Sequence, residues 1–187
     1  MFCGYLPLRE EPCGLVYAPA HHRPMLERIY GNLGLKRVFA PVPRAALRVG
    51  GSGAPGELPH FTLSTQVASL LQIAIIEVTD YGLGILQEVN DRLRELCHKG
   101  IAVIYLHLPL GDPQTAVLCR YFEELGFIFA GILPRPAEPA GQEEMPAGDQ
   151  LCLHHLNGPR VDYDRLQIYG DFGRELAEYV RAQGPLD

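Results

Sequence analysis

The chain has 187 residues, 47% hydrophobic and 20% charged, which is a globular composition long enough for one ordinary domain or two small ones. With 16 basic against 22 acidic residues the formal charge is −6, so no broad basic face is available for a phosphate backbone and no nucleic-acid partner is expected. No run reaches the stretch of about 18 apolar residues that a spanning helix needs, and Met1–Pro7 lacks the basic start and long apolar core of a secretion signal, so no membrane partner is expected.

Five scattered cysteines (Cys3, Cys13, Cys97, Cys119 and Cys152) form no CxxC pair, which reads as reduced thiols in a cytoplasmic protein. In chain order, the first clear element is a helical stripe at Met25, Leu26, Ile29, Tyr30 and Leu33, closed by Gly34 and followed by a β-type segment at residues 36–40. Pro41 to Pro59, with Gly50-Gly51-Ser52-Gly53, reads as a connector. Phe61 to Gln66 alternates weakly and predicts a strand. Ile73 to Val78, apolar on both sides, predicts a central strand buried on both faces. The turn Tyr81-Gly82-Leu83-Gly84 then opens a helix with Leu86, Val89, Leu93, Leu96 and Cys97 on one face, ending near Gly100.

Ile101 to Leu106 predicts a second buried strand. Asp112-Pro113 combines a side-chain cap with proline in the first helical turn, which opens a helix closed by Gly126. A strand at Phe127 to Ile132, a Pro/Gly/Glu-rich hairpin tip at Pro134 to Gly148, a strand at Gln150 to Leu156 and a final helix at about 171–183 complete the chain. Residues 25–35 and 117–127 align at an offset of 92, each an apolar stripe followed by a glycine and a β-type segment. Two units are therefore expected: residues 1–50, a partial repeat, and residues 51–187, one nearly complete domain. The abrupt start suggests a missing upstream region.

This order of elements, with Phe122-Glu123-Glu124-Leu125-Gly126-Phe127 closing its second helix, resembles the GNAT acyl-CoA N-acyltransferase fold over residues 60–156. Many of those enzymes carry Tyr-Glu-x-Leu-Gly-Phe at this point. Tyr17-x-Pro19, His22-Arg23, Ile29-Tyr30-x-x-Leu33-Gly34-Leu35 and Leu108-x-Leu110-x-Asp112-Pro113 look, more loosely, like GNAT-like segments attached to anti-sigma-type regulatory ATPases. The resemblance implies an α/β fold, a mixed sheet flanked by helices, with the N-terminal residues a partial repeat of its second half. It also implies acetyl-CoA or another acyl-CoA as cofactor, and a small-molecule or peptide amine as acceptor.

Thr79-Asp80-Tyr81-Gly82-Leu83-Gly84 matches the family's Arg/Gln-x-x-Gly-x-Gly/Ala loop, whose backbone N–H groups hold the coenzyme A pyrophosphate at a helix N-terminus. Val78, Gly82, Leu83, Gly84 and Ile85 are thus the cofactor-binding candidates. Thr79 replaces the Arg/Gln, and Asp80 adds a negative charge. Glu77 matches the family's general base. The family's acid position holds Phe122, with Tyr121 one residue earlier; Glu77 and Tyr121 are the catalytic candidates. In the first copy the equivalent position is Tyr30, but no glycine loop precedes it.

Thr79, Asp80 and Phe122 favour the alternative, a non-catalytic GNAT-like ligand-binding or protein-interaction module, for which a homodimer or a regulatory protein partner is compatible. Asp80-x-Gly82-x-Gly84-Ile85 also resembles the adenine-reading box of histidine-kinase-type ATPases, but the only asparagine upstream is Asn32 and no second glycine-rich box follows. The histidine pairs His21-His22 and His154-His155 lack metal-ligand spacing. Neighbours on a strand point to opposite sides, so structural or surface roles and no metal are expected.

Overall fold

A computed structural model describes residues 13–44, 46, 60–134, 148–158 and 161–184. The connector at Pro41–Pro59 and the hairpin tip at Pro134–Gly148 therefore lie mostly outside the described residues. The elements run β1 (Gly14–Val16), α1 (Arg23–Leu33), β2 (Arg37–Phe39), β3 (Thr62–Ala68), β4 (Ile73–Asp80), α2 (Ile85–His98), β5 (Val103–Pro109), α3 (Pro113–Glu124), β6 (Ile128–Leu133), β7 (Gln150–Leu156) and α4 (Asp171–Arg181). No helix among the described residues is long and apolar enough to cross a membrane.

The result is the mixed sheet flanked by helices that the sequence led us to expect. Five strands lie in the order β3-β4-β5-β7-β6, with β4 and β5 parallel and every other pair antiparallel. Two-stranded β1-β2 forms a separate parallel ribbon.

Side chains alternate across a strand, and here only one face is fully covered. Ala74, Ile76 and Val78 of β4, Ile104, Leu106 and Leu108 of β5, and Leu151 and Leu153 of β7 are wholly buried. They pack in one cluster with Ile85, Val89, Leu93 and Leu96 of α2 and with Leu118, Cys119 and Phe122 of α3. At about 1.5–3 kcal/mol for each fully buried Leu or Ile, this layer is the main stabilising term. The expectation that β4 and β5 are buried on both faces is corrected: Ile73, Ile75 and Glu77, like Val103, Tyr105 and His107, are only half-buried.

The N-terminal segment belongs to the same core, since Val16, Met25, Leu26, Ile29, Tyr30 and Leu35 join the cluster. Its polar anchor is a bidentate ion pair in which Arg37 Nε and Nη2 donate to Asp149 at 2.6 and 3.1 Å, with both side chains 4% exposed. The Tyr17 N–H donates to the Leu110 carbonyl at 2.8 Å, tying β1 to the end of β5.

Both segments of the aligned repeat adopt helix, positive-φ glycine and strand: α1, Gly34 (φ 69°) and β2; α3, Gly126 (φ 92°) and β6. Their burial differs. The α1 stripe is Met25, Leu26, Ile29 and Tyr30, as expected, whereas α3 buries Thr115, Leu118, Cys119 and Phe122 and turns Tyr121 outward. The i, i+3, i+4, i+7 series starting at Thr115 wins because Cys119 is itself a small apolar residue in the seam.

Candidate functional site: the β4–β5 wedge and the turn into α2

The candidate site grows from the sheet register. Pairing of β4 with β5 runs from Ile73↔Val103 to Glu77↔His107 and stops there. Both strands continue on their outer sides: β4 stays paired with β3 as far as Asp80↔Thr62, and β5 with β7 as far as Pro109↔Gln150. Neighbouring parallel strands that keep their outer partners and lose each other must part, so a wedge opens between Val78–Asp80 and Leu108–Pro109.

Glu77 stands at the apex of this wedge, on the half-buried face, with His107 beside it and Cys152 next in register. Gln150 Nε2 donates to Glu77 Oε1 at 2.7 Å and holds the carboxylate in place. Gln150 is fully buried, and its Oε1 has no hydrogen-bond partner among the described residues. An orphaned acceptor of this kind costs about 1–3 kcal/mol unless something donates to it.

The mouth of the wedge is the turn into α2. Gly84 is the N-cap at φ 85° and ψ −2°, a left-handed conformation that glycine adopts without strain, and it carries no side chain to cap the helix. By position the N–H groups of Ile85, Leu86 and Gln87 have no carbonyl one turn back; Ile85 reaches Gly82 O at 3.4 Å. Val78 is fully buried beneath the turn, whereas Leu83 is 48% exposed. Val78, Gly82, Leu83, Gly84 and Ile85 are thus brought together around one helix N-terminus, with Glu77 at the other end of the same strand segment. Asp80 is exposed beside them.

Tyr121 is not part of this group. It lies 46% exposed on the outer side of α3, whose inner side faces the core. The phenol beside the turn belongs to Tyr81. Its hydroxyl is 2.7 Å from Thr115 Oγ1, which donates to the Pro109 carbonyl at 2.6 Å, so a short relay links the end of β4 to the end of β5 across the wedge. Burial pushes the Tyr81 pKa well above the ordinary phenol value, against the smaller opposing effect of its bond to Thr115.

Sequence reasoning missed Tyr81, Thr115 and Gln150. Tyr81 was in view only as a spacer in the glycine motif, and Gln150 only as the first residue of a strand. It also separated the histidines of each pair. His21 and His22 lie in a turn rather than on a strand, and both reach Glu123 Oε1, at 2.9 and 2.6 Å. His22 is fully buried, and burial holds its imidazole below the ordinary pKa.

No family model and no curated protein matches the chain. Solved structures trace part of its path. A chimeric spermidine N-acetyltransferase from Vibrio cholerae aligns at 15% identity and TM-score 0.38, over 54% of this chain and 60% of that one. A ribosomal-protein alanine N-acetyltransferase from Escherichia coli aligns at 18% and 0.37, over 62% and 71%. An acetyltransferase from Bacillus subtilis in complex with CoA aligns at 14% and 0.34, over 56% and 72%. The chain therefore spans less than two thirds of the length of the first of these.

Proposed function

We propose that this chain is an acyl-CoA-dependent N-acyltransferase of the GNAT type, acting on a small-molecule or peptide amine. The observation that carries the reading is the wedge, where β4 and β5 part just beyond Glu77 and a helix N-terminus without a side-chain cap stands at its mouth. In this reading acetyl-CoA or another acyl-CoA supplies an activated acyl group. Gly82, Leu83, Gly84 and Ile85 would hold its pyrophosphate through backbone N–H groups, where the helix dipole favours an anion. The buried Oε1 of Gln150 fits the cofactor as well, since it is an acceptor awaiting an amide N–H and pantetheine carries two amides.

Glu77 would take the proton of the acceptor amine, with Gln150 fixing one of its oxygens. Tyr81 stays protonated because it is buried, which is the state a proton donor to a leaving thiolate requires. The shared order of helix, left-handed glycine and strand supports reading residues 1–50 as a partial repeat of the second half of the unit at 51–187.

Asp80 beside the anion site, and the Tyr81–Thr115 relay across the wedge, favour a second reading: a GNAT-like ligand-binding module without catalysis. Calorimetric titration with acetyl-CoA, followed by a thiol-release assay with a panel of amines, separates the readings. Saturable binding with amine-dependent thiol release supports the transferase. Binding without release assigns the chain to the second reading, and no heat up to millimolar acetyl-CoA abandons both.

A further inference from the structure

Away from the wedge, four metal-ligating side chains meet. His21 and His22 lie in the turn that leads into α1, with His22 at its N-cap, while Cys119 and Glu123 stand one turn apart on α3. One ligand atom from each lies within 4.8 Å of all the others. They converge on one oxygen: Glu123 Oε1 is 2.6 Å from His22 Nε2, 2.9 Å from His21 Nε2 and 3.7 Å from Cys119 Sγ. We propose that His21, His22, Cys119 and Glu123 form a tetrahedral site for a divalent transition-metal ion of the zinc class, which fastens the N-terminal segment to α3.

The donor set suits that ion. Two imidazoles, a thiolate and a carboxylate are borderline ligands of the kind zinc takes, and the two anions neutralise the dication.

The spacing is close to what metal binding needs. Bonds of about 2.0–2.3 Å to a tetrahedral centre put ligand atoms roughly 3.3–3.7 Å apart. The sulfur–oxygen separation already lies at this value, and the two nitrogen–oxygen separations need to open by less than about 1 Å. Such movement is accessible to His21 and Glu123, whose side chains are about a quarter exposed and line an open groove that serves as the entry path.

A hydrogen bond behind His22 suits a metal ligand. The Tyr179 hydroxyl sits 2.7 Å from His22 Nδ1 and donates to the His21 carbonyl at 3.3 Å. With Nδ1 engaged by the Tyr179 hydroxyl, Nε2 is the His22 nitrogen that faces Glu123 and the common focus. Histidine ligands held by a hydrogen bond at the far nitrogen are the usual arrangement in metal sites.

The test uses the full chain without a histidine tag, stripped by chelator and titrated with Co²⁺. The expected result is one equivalent bound, with intense visible bands of tetrahedral cobalt and a near-ultraviolet thiolate charge-transfer band, all removed by one equivalent of Zn²⁺. Cys119→Ser should lose the charge-transfer band, and Tyr179→Phe, which removes no ligand, should weaken binding about 10–100-fold. Should Cys119→Ser fail to fold, His21→Gln, on the groove side, is the substitute, and it should lose the tetrahedral bands. Only the weak spectrum of hydrated cobalt with the native circular-dichroism signal intact, or a charge-transfer band that persists in Cys119→Ser, would overturn the proposal.

Discussion

Helices α2 and α3 occupy equivalent places, each following one of the two parallel strands of the sheet, yet they begin in opposite ways. At α3 the Asp112 side chain accepts from the Gln114 N–H at 2.7 Å, and a proline in the first turn removes one donor altogether. That helix end is closed by its own sequence. At α2 the cap is a left-handed glycine with nothing to offer, and the strand beside it has left its parallel neighbour. One start is built for stability. The other leaves its first amides without a side-chain cap, which is what binding of an external anion requires. In the proposed reading, the same fold position serves the helix at α3 and a ligand at α2.

The largest expected effect comes from closing the open start. Gly82→Glu places a carboxylate against the α2 N-terminus, where it competes with an incoming phosphate for the same amides. Acetyl-CoA affinity should fall about 100-fold, roughly 2.7 kcal/mol, while the thermal midpoint stays near that of the parent; calorimetry and a melting curve check both. Unchanged affinity would place the ligand elsewhere. Next is Gly84→Val, which forces a β-branched residue to φ 85°. The left-handed conformation should cost about 1–2 kcal/mol of stability, read by urea denaturation, and acetyl-CoA binding should weaken with it. The pair of variants tells charge from shape: Gly82→Glu should strike binding alone, and Gly84→Val should strike both.

The contrast between the helix starts was legible in the sequence because each rests on local chemistry. Asp112-Pro113 announces a capped start, and glycines at 82 and 84 announce a turn that side chains resist. Strand β7 was read at its observed limits, Gln150–Leu156, for the same reason: its apolar run is bounded by a glycine on each side. What escaped was everything that depends on distant partners. Gln150 meets Glu77 across 73 residues, and His22 meets Glu123 across 101. Tyr121 was misplaced because two overlapping helical stripes fit residues 115–125, and only packing against the sheet shows that the Cys119 stripe faces inward. Half-burial of β4 was likewise invisible, since isoleucines on both sides of a strand look alike whether or not a layer covers them.

Asp112→Ala opens the closed start and is the converse experiment. Loss of the bond to Gln114 N–H should cost about 1 kcal/mol, visible as a lower urea midpoint with an unchanged slope, and acetyl-CoA affinity should not move. A gain in anion binding at α3 would show that the cap alone sets the difference; no gain means that the wedge matters as well, because β5 and β7 remain paired up to Pro109 at that end.

The smallest effect is expected from Tyr81→Phe, and it bears most directly on the chemistry. Thr115 keeps its bond to the Pro109 carbonyl when the phenol oxygen is removed, so no hydroxyl is left stranded. Stability should drop by about 0.5 kcal/mol, the low end for a single hydrogen bond. If the relay only braces the wedge, acetyl-CoA affinity and turnover should change together and slightly. If Tyr81 donates the proton to the departing thiolate, turnover should fall while affinity holds, and the loss should be greatest at high pH, where solvent is the poorer acid. A KM-against-kcat comparison across pH reads the difference, and it decides whether the open start of α2 is a binding surface alone or one side of an active site.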